Sequence, residues 1–133
     1  MTSTCNDQDC SVLIVDDDED MRMLAAVVFE RAGIVVAGQA KDGPEALTTL
    51  DQLDPPPVPT VVLLDNRMPK MTGLEVAARI HANRPEQIIV LFSAFLDPTV
   101  IAAAERAGVA ECVSKREAMN LPAIVRRVIA SRS

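Results

Sequence analysis

Short apolar runs that end in a polar residue recur along the chain, and between them apolar residues return every third or fourth position. Val12 to Val15 ends at Asp16 and Asp17, Val61 to Leu64 at Asp65, Ile88 to Phe92 at Ser93, and the weaker run Ala110 to Ser114 at Lys115. Continuous apolar runs of this length read as strands covered on both faces, and the longer-period stretches read as amphipathic helices. Ile34 to Gly38 supplies one more strand. In the first helix Met21, Leu24, Ala25 and Val28 share a face that ends at Gly33 as C-cap. Asp42-Gly43-Pro44-Glu45 opens the second with a cap, a proline compatible with a first turn and an acid, before Ala46, Leu47, Leu50 and Leu53. Thr72-Gly73-Leu74-Glu75 is a capping box for the third, with Leu74, Ala77 and Ile80 inward. Asp97-Pro98 starts a fourth helix that ends at Gly108, and Asn120 caps a fifth whose face is Leu121, Ile124, Val125, Val128 and Ile129.

Strand and helix alternate throughout, so the expected fold is α/β: a doubly wound five-stranded parallel sheet with five helices in three α/β/α layers. Crossover helices make all strands point the same way. The polar residues that close the strands then gather along one edge, where open α/β sheets place their sites. The segment Asp54-Pro55-Pro56-Pro57-Val58-Pro59 is too long for an ordinary connection and reads as a stiff loop, although the Pro56 to Pro59 spacing also suits a polyproline ligand. Residues 1–10 read as a flexible tail and residues 11–133 as one domain.

Size and charge narrow the function. A chain of 133 residues with 49% hydrophobic content fills one core, and a net charge of -6 argues against binding nucleic acid through its phosphates. No apolar stretch nears the roughly 20 residues needed to cross a bilayer, and Met1 to Asp9 is not built like a signal peptide, so a cytoplasmic protein without membrane contact is expected. The three cysteines, Cys5, Cys10 and Cys112, read as reduced thiols. With His81 as the lone histidine they make no zinc site, and His81 itself reads as packing or surface.

Asp16, Asp17 and Asp65 brought together would repel, two carboxylates ~4 Å apart by ~4 kcal/mol at an effective dielectric near 20. A cation relieves this, and magnesium suits an all-oxygen donor set that leaves room for phosphate oxygens. An aspartate beside such an ion can form an acyl phosphate. Lys115 would balance the charge of the phosphoryl group and Ser93 would donate a hydrogen bond to it.

These residues resemble the receiver domain of two-component response regulators, the CheY-like superfamily. The resemblance spans Ser11 to about Ala130 and rests on Leu13-Ile14-Val15-Asp16-Asp17-Asp18, on Leu63 to Pro69 with Gly73, on Ser93-Ala94 and on Lys115. It implies a flavodoxin-like sheet of order 2-1-3-4-5. It also implies that Asp65 accepts phosphate from the histidine of a sensor kinase or phosphotransfer protein. Asp17, Asp65 and the Arg67 backbone carbonyl would bind Mg²⁺ directly, with Asp16 acting through water and Mn²⁺ able to substitute. Ser93 and Lys115 stand at the family's switch hydroxyl and lysine. Signalling would follow from a change in the face made by the fourth helix, fifth strand and fifth helix, read by a downstream protein. The domain would therefore be a switch more than an enzyme.

Two departures stand out. Arg116 follows Lys115 where the family often has proline, and Cys112 replaces the aromatic residue common on the fifth strand, which leaves Phe95 as a candidate moving ring. Arg67 and Phe95 flank the site and are placed to set phosphate lifetime. Arg106, Arg116, Glu105, Glu117, Arg126 and Arg127 could pair across a phosphorylation-dependent homodimer, although exposed helical charges are usually solvated. A stand-alone receiver whose output comes from its own surface is expected, with the receiver part of a longer regulator as the alternative, for which Ala130 to Ser133 could begin a linker. Two other readings compete: a receiver-like interaction module that is not phosphorylated, and a haloacid-dehalogenase-like phosphatase using Asp16 as nucleophile. The second leaves the Asp65 loop unexplained and meets Asp20 where that family wants threonine or valine.

Overall fold

The strands β1 (Ser11–Val15), β3 (Thr60–Leu64) and β4 (Ile88–Ser93) are buried along their whole length. That is what continuous apolar runs require of strands covered on both faces. They form the centre of a five-stranded sheet completed at its edges by β2 (Val35–Ala40) and β5 (Glu111–Ser114). All pairings are parallel and the order is β2-β1-β3-β4-β5, the flavodoxin-like arrangement. These features belong to a computed structural model that describes residues 10–53 and 59–131. Residues 54–58 of the proline-rich segment, the tail with Cys5, and Arg132 and Ser133 lie outside the described residues.

Successive strand residues point to opposite faces, so each central strand feeds two cores. On one face Val12, Ile14, Val61 and Val90 meet Phe29 of α1 (Glu19–Arg31) and Leu121 and Val125 of α5 (Leu121–Ser131). On the other, Leu13, Val62 and Leu91 meet Leu50 of α2 (Gly43–Gln52), Ile80 of α3 (Gly73–Asn83) and Ala104 of α4 (Pro98–Arg106). Complete burial of a side chain such as Phe29 is worth roughly 1.5 to 3 kcal/mol, so each helix is held mainly by its apolar stripe. Cys10, at the boundary drawn between tail and domain, is buried in the first core.

Local start and stop signals behave as the residues dictate. Asp42, Thr72 and Asp97 each accept a backbone N–H from the first turn of α2, α3 and α4, and Thr72 with Glu75 completes the reciprocal capping box. Gly33 takes φ 82° just after α1, a left-handed conformation that a glycine adopts without steric cost.

Three expectations are corrected. Leu24 does not face the core but is 42% exposed, because the packed face of α1 centres on Ala25 and Phe29. Strand two runs two residues past Gly38, since an edge strand keeps pairing after its apolar pattern stops. Asn120 does not cap α5. A 3-10 helix, Lys115–Asn120, already leads into that helix, and the Asn120 amide donates to Glu117 instead.

Charges expected to cross a dimer interface are partly engaged within the chain: Arg127 pairs with Glu111, and Arg126 donates to the Ala32 carbonyl at the end of α1. No helix among the described residues is long and apolar enough to cross a membrane.

Candidate functional site

Parallel strands bring their carboxyl ends to one edge, and the residues there meet as their spacing predicts. The Asp65 N–H donates to the Val15 carbonyl at 2.9 Å, and the Asp16 N–H to the Ala40 carbonyl at 3.0 Å, so the sheet ladder itself fixes where both acids begin. Asp16, Asp17, Asp18, Asp65, Ser93 and Lys115 all line one cavity of about 280 Å³, with Arg67 and Phe95 at its rim. A larger cavity of about 690 Å³ opens at the opposite edge of the sheet around Leu50, Thr60 and Gln87, away from every one of these groups.

Asp16 is held at three atoms. One carboxylate oxygen accepts the Asp18 N–H at 2.9 Å, the other accepts Lys115 Nζ at 2.9 Å, and its backbone carbonyl accepts Arg22 Nη1 at 2.7 Å. Asp17 is exposed, whereas Asp16 and Asp65 are buried, and carboxylate oxygens of all three lie within 4.8 Å of one another. Lys115 Nζ also stands 3.3 Å from Asp65 Oδ1, so one ammonium faces two buried carboxylates.

Charge balance sets the protonation. Burial, followed by the negative charge of Asp16, pushes the Asp65 carboxyl up to about 6 against the pull of Lys115. Burial alone would lower the Lys115 ammonium, but its hydrogen bond to Asp16 and the charges of Asp65 and Asp16 hold it above its ordinary value. Lys115 therefore stays cationic while Asp65 carries an excess of unrelieved negative charge beside it. Three convergent hard oxygen donors with a single neighbouring ammonium fit a hard divalent cation such as Mg²⁺ or Mn²⁺.

Ser93 is buried at the end of β4, and its hydroxyl is turned into its own loop. It donates to the Phe95 carbonyl at 3.2 Å and accepts the Phe95 N–H at 3.3 Å. Phe95 is 63% exposed, and the Arg67 guanidinium sits 4.7 Å from its ring centroid. Cys112 is half-buried beside the second core, where burial pushes its thiol up, so it fills a packing position. Arg116 uses the N–H that a proline would lack: it donates to Ser114 Oγ at 3.2 Å and starts the 3-10 helix. His81 is not near the pocket. Its ring packs against Gly108, where an added Cβ would lie 2.4 Å from its Cγ.

Sequence reasoning missed Arg22 and Asn66. The Asn66 side chain accepts the Leu74 N–H at 3.2 Å, and its carbonyl accepts the Gly73 N–H at 2.8 Å, which bends the chain sharply after Asp65. Gly73 is required there, because a Cβ would fall 2.2 Å from the Asp65 carbonyl oxygen. An asparagine after a strand is a recognisable turn signal, whereas nothing in the sequence marks Arg22.

Fold and site together define a doubly wound α/β domain with an acidic, lysine-closed pocket at the carboxyl edge of its sheet. The model of the response regulator receiver domain matches residues 12–126, and the chain belongs to that family. It is 34% identical over 104 residues to the chemotaxis protein CheY of Thermotoga maritima, covering 78% of this chain and 83% of that one. It is 33% identical over 109 residues to a putative transcriptional regulator of Pseudomonas aeruginosa, covering 82% of this chain and 51% of the regulator, about half its length. Among solved structures, a CheY-like receiver domain from Methanospirillum hungatei superposes with a TM-score of 0.81 at 20% identity over 94% of this chain and 97% of that one. The CheX-CheY-BeF3-Mg complex from Borrelia burgdorferi gives 0.77 at 25% identity, over 91% and 87% of the respective chains. The chain is a response regulator receiver of CheY type, a signalling domain, and the haloacid-dehalogenase-like reading of Asp16 falls with that assignment.

Proposed function

We propose that this receiver accepts a phosphoryl group on Asp65 from the phosphohistidine of a sensor kinase or phosphotransfer protein, in a Mg²⁺-dependent reaction in the cytoplasm. The observation that carries the reading is the placement of Lys115 between Asp16 and Asp65, with three carboxylates converging on one volume. Asp17, Asp65 and the Arg67 carbonyl would hold the ion, with Asp16 acting through water. When bound, the ion supplies positive charge to the phosphoryl oxygens and offsets the repulsion among the carboxylates.

The protein's own groups divide the remaining work. An Asp65 carboxylate oxygen attacks phosphorus as the phosphorus–nitrogen bond to the donor imidazole breaks, and the imidazole leaves with a proton from solvent. Lys115 neutralises the incoming oxygens as a point cation fixed by Asp16. The Ser93 hydroxyl can exchange its bond to the Phe95 carbonyl for one to a phosphoryl oxygen, and that exchange frees the loop leading into α4. The phosphoryl group, carrying ~1.5 to 2 negative charges in place of the carboxylate's one, biases two packings of the α4, β5 and α5 face, from which a downstream protein reads the state. With Cys112 on β5, no aromatic ring there follows the hydroxyl, and Phe95, whose backbone the hydroxyl bonds, is the candidate moving ring.

The test is intact mass after incubation with Mg²⁺ and a small acyl-phosphate donor or a phosphorylated histidine kinase domain. One phosphoryl group should be gained by the wild type and none by Asp65→Asn or in EDTA. No gain from either donor by a folded protein would favour a receiver fold kept as an interaction module.

A further inference from the structure

The loop between β3 and α3 carries Arg67 and follows directly on Asp65, yet its outer end is fastened to a different helix. Lys70 adopts φ 72°, the one described non-glycine residue with positive φ, in a region that side chains other than Asn and Asp rarely enter. Its ammonium reaches Asp42 Oδ2 at 3.1 Å. Asp42 is buried and its other carboxylate oxygen accepts the Glu45 N–H at 2.9 Å, so the acceptor is the N-cap of α2 and is not free to follow the lysine. That capping bond, then the Lys70 partner, hold the Asp42 carboxyl below its ordinary range.

The same helix end touches the loop through carbon. A Cβ on Gly43 would lie 2.9 Å from Met71 Cβ and 2.7 Å from Val76 Cγ2, so the start of α2 sits against the loop with no spare room. The loop is therefore clamped at both ends: Asn66 and Gly73 close it beside Asp65, and Lys70 ties its tip to α2.

We propose that the Lys70–Asp42 pair is a latch that holds the Asp65–Arg67 loop in its metal-binding shape, making Lys70 a positioning residue for the pocket. Lys70 touches none of the carboxylates in the pocket. It acts by keeping an unfavourable backbone conformation populated in the same loop, three residues after Arg67. The latch rests on the proposed Mg²⁺ site for its functional consequence but not for its effect on the loop.

Two measurements separate these. Amide hydrogen exchange in EDTA reads the loop alone: Lys70→Met and Asp42→Asn should each speed exchange at Gly73 and Leu74, whose N–H groups bond Asn66, while Lys70→Arg leaves them protected. Calorimetric titration with Mg²⁺ reads the pocket: Lys70→Met and Asp42→Asn should each weaken binding by about tenfold, the lower edge of what supporting residues around a metal contribute. The double variant should be no weaker than either single one, and Lys70→Arg should restore affinity. Unchanged exchange, or Mg²⁺ affinity within about twofold of wild type in both single variants, would overturn the latch. If the wild type itself fails to bind Mg²⁺, the site reading fails instead, and the exchange data still decide whether the latch exists.

Discussion

The Arg67 guanidinium lies over the Phe95 ring, 4.7 Å from its centroid, and so joins the loop after β3 to the loop after β4 at the rim of the pocket. Both side chains are exposed, and both line the cavity that holds Asp65. Their contact is worth roughly 0.5 to 1 kcal/mol at such a site, too little to hold the fold but enough to keep a cover over the carboxylates.

Phe95→Ala should therefore leave folding stability within about 1 kcal/mol of wild type and shorten the lifetime of the phosphorylated protein several-fold, because water reaches the acyl phosphate more freely. Denaturant unfolding and the decay of the phosphorylated mass after donor removal check both halves.

The repulsion at Asp65 predicts a pH-dependent stability in the absence of divalent ions. Its carboxyl stands at about 6 in the folded protein against an ordinary 3.8, so the folded state binds the proton more readily than the unfolded chain. The penalty is full above about pH 6 and vanishes as pH falls below the unfolded value. In EDTA, Asp65→Asn should be more stable than wild type by on the order of 2 kcal/mol at pH 7.5, with the gain gone near pH 4. Equal stabilities at pH 7.5 would show that the carboxylates are already balanced.

Divalent ions should remove the same penalty by binding. Wild type should gain about 1.4 kcal/mol of stability when Mg²⁺ is in tenfold excess over its dissociation constant, reversibly with EDTA. Asp17→Asn should lose most of that gain without losing stability in EDTA, since Asp17 is exposed. Melting curves with and without Mg²⁺ give the comparison.

Gly73→Ala should be among the most damaging single changes near the site. The new methyl would sit 2.2 Å from the Asp65 carbonyl oxygen and 2.8 Å from Asn66 Cα, both backbone atoms that cannot turn aside. A loss of about 3 kcal/mol is expected, with phosphorylation of Asp65 abolished even where the variant remains folded. A variant that is both stable and phosphorylated at the normal rate would contradict the tight turn.

Much of this protein follows from the sequence alone, because its signals are local or periodic. Continuous apolar runs fix which strands lie at the centre, and Asp42, Thr72 and Asp97 mark helix starts through bonds to the next turn, which any chain conformation near them must satisfy. The convergence of Asp16, Asp65, Ser93 and Lys115 is equally legible, since parallel strands leave their closing residues on one edge. What only the tertiary structure decided depends on neighbours distant in sequence. Helix packing buried Phe29 and exposed Leu24, a choice of rotation that a loose apolar stripe leaves open. The stacking of Arg67 on the Phe95 ring and the reach of Lys70 to Asp42 each join loops from different βα units. No local pattern encodes such pairings, because the distance between loops is set by how the helices pack on the two faces of the sheet.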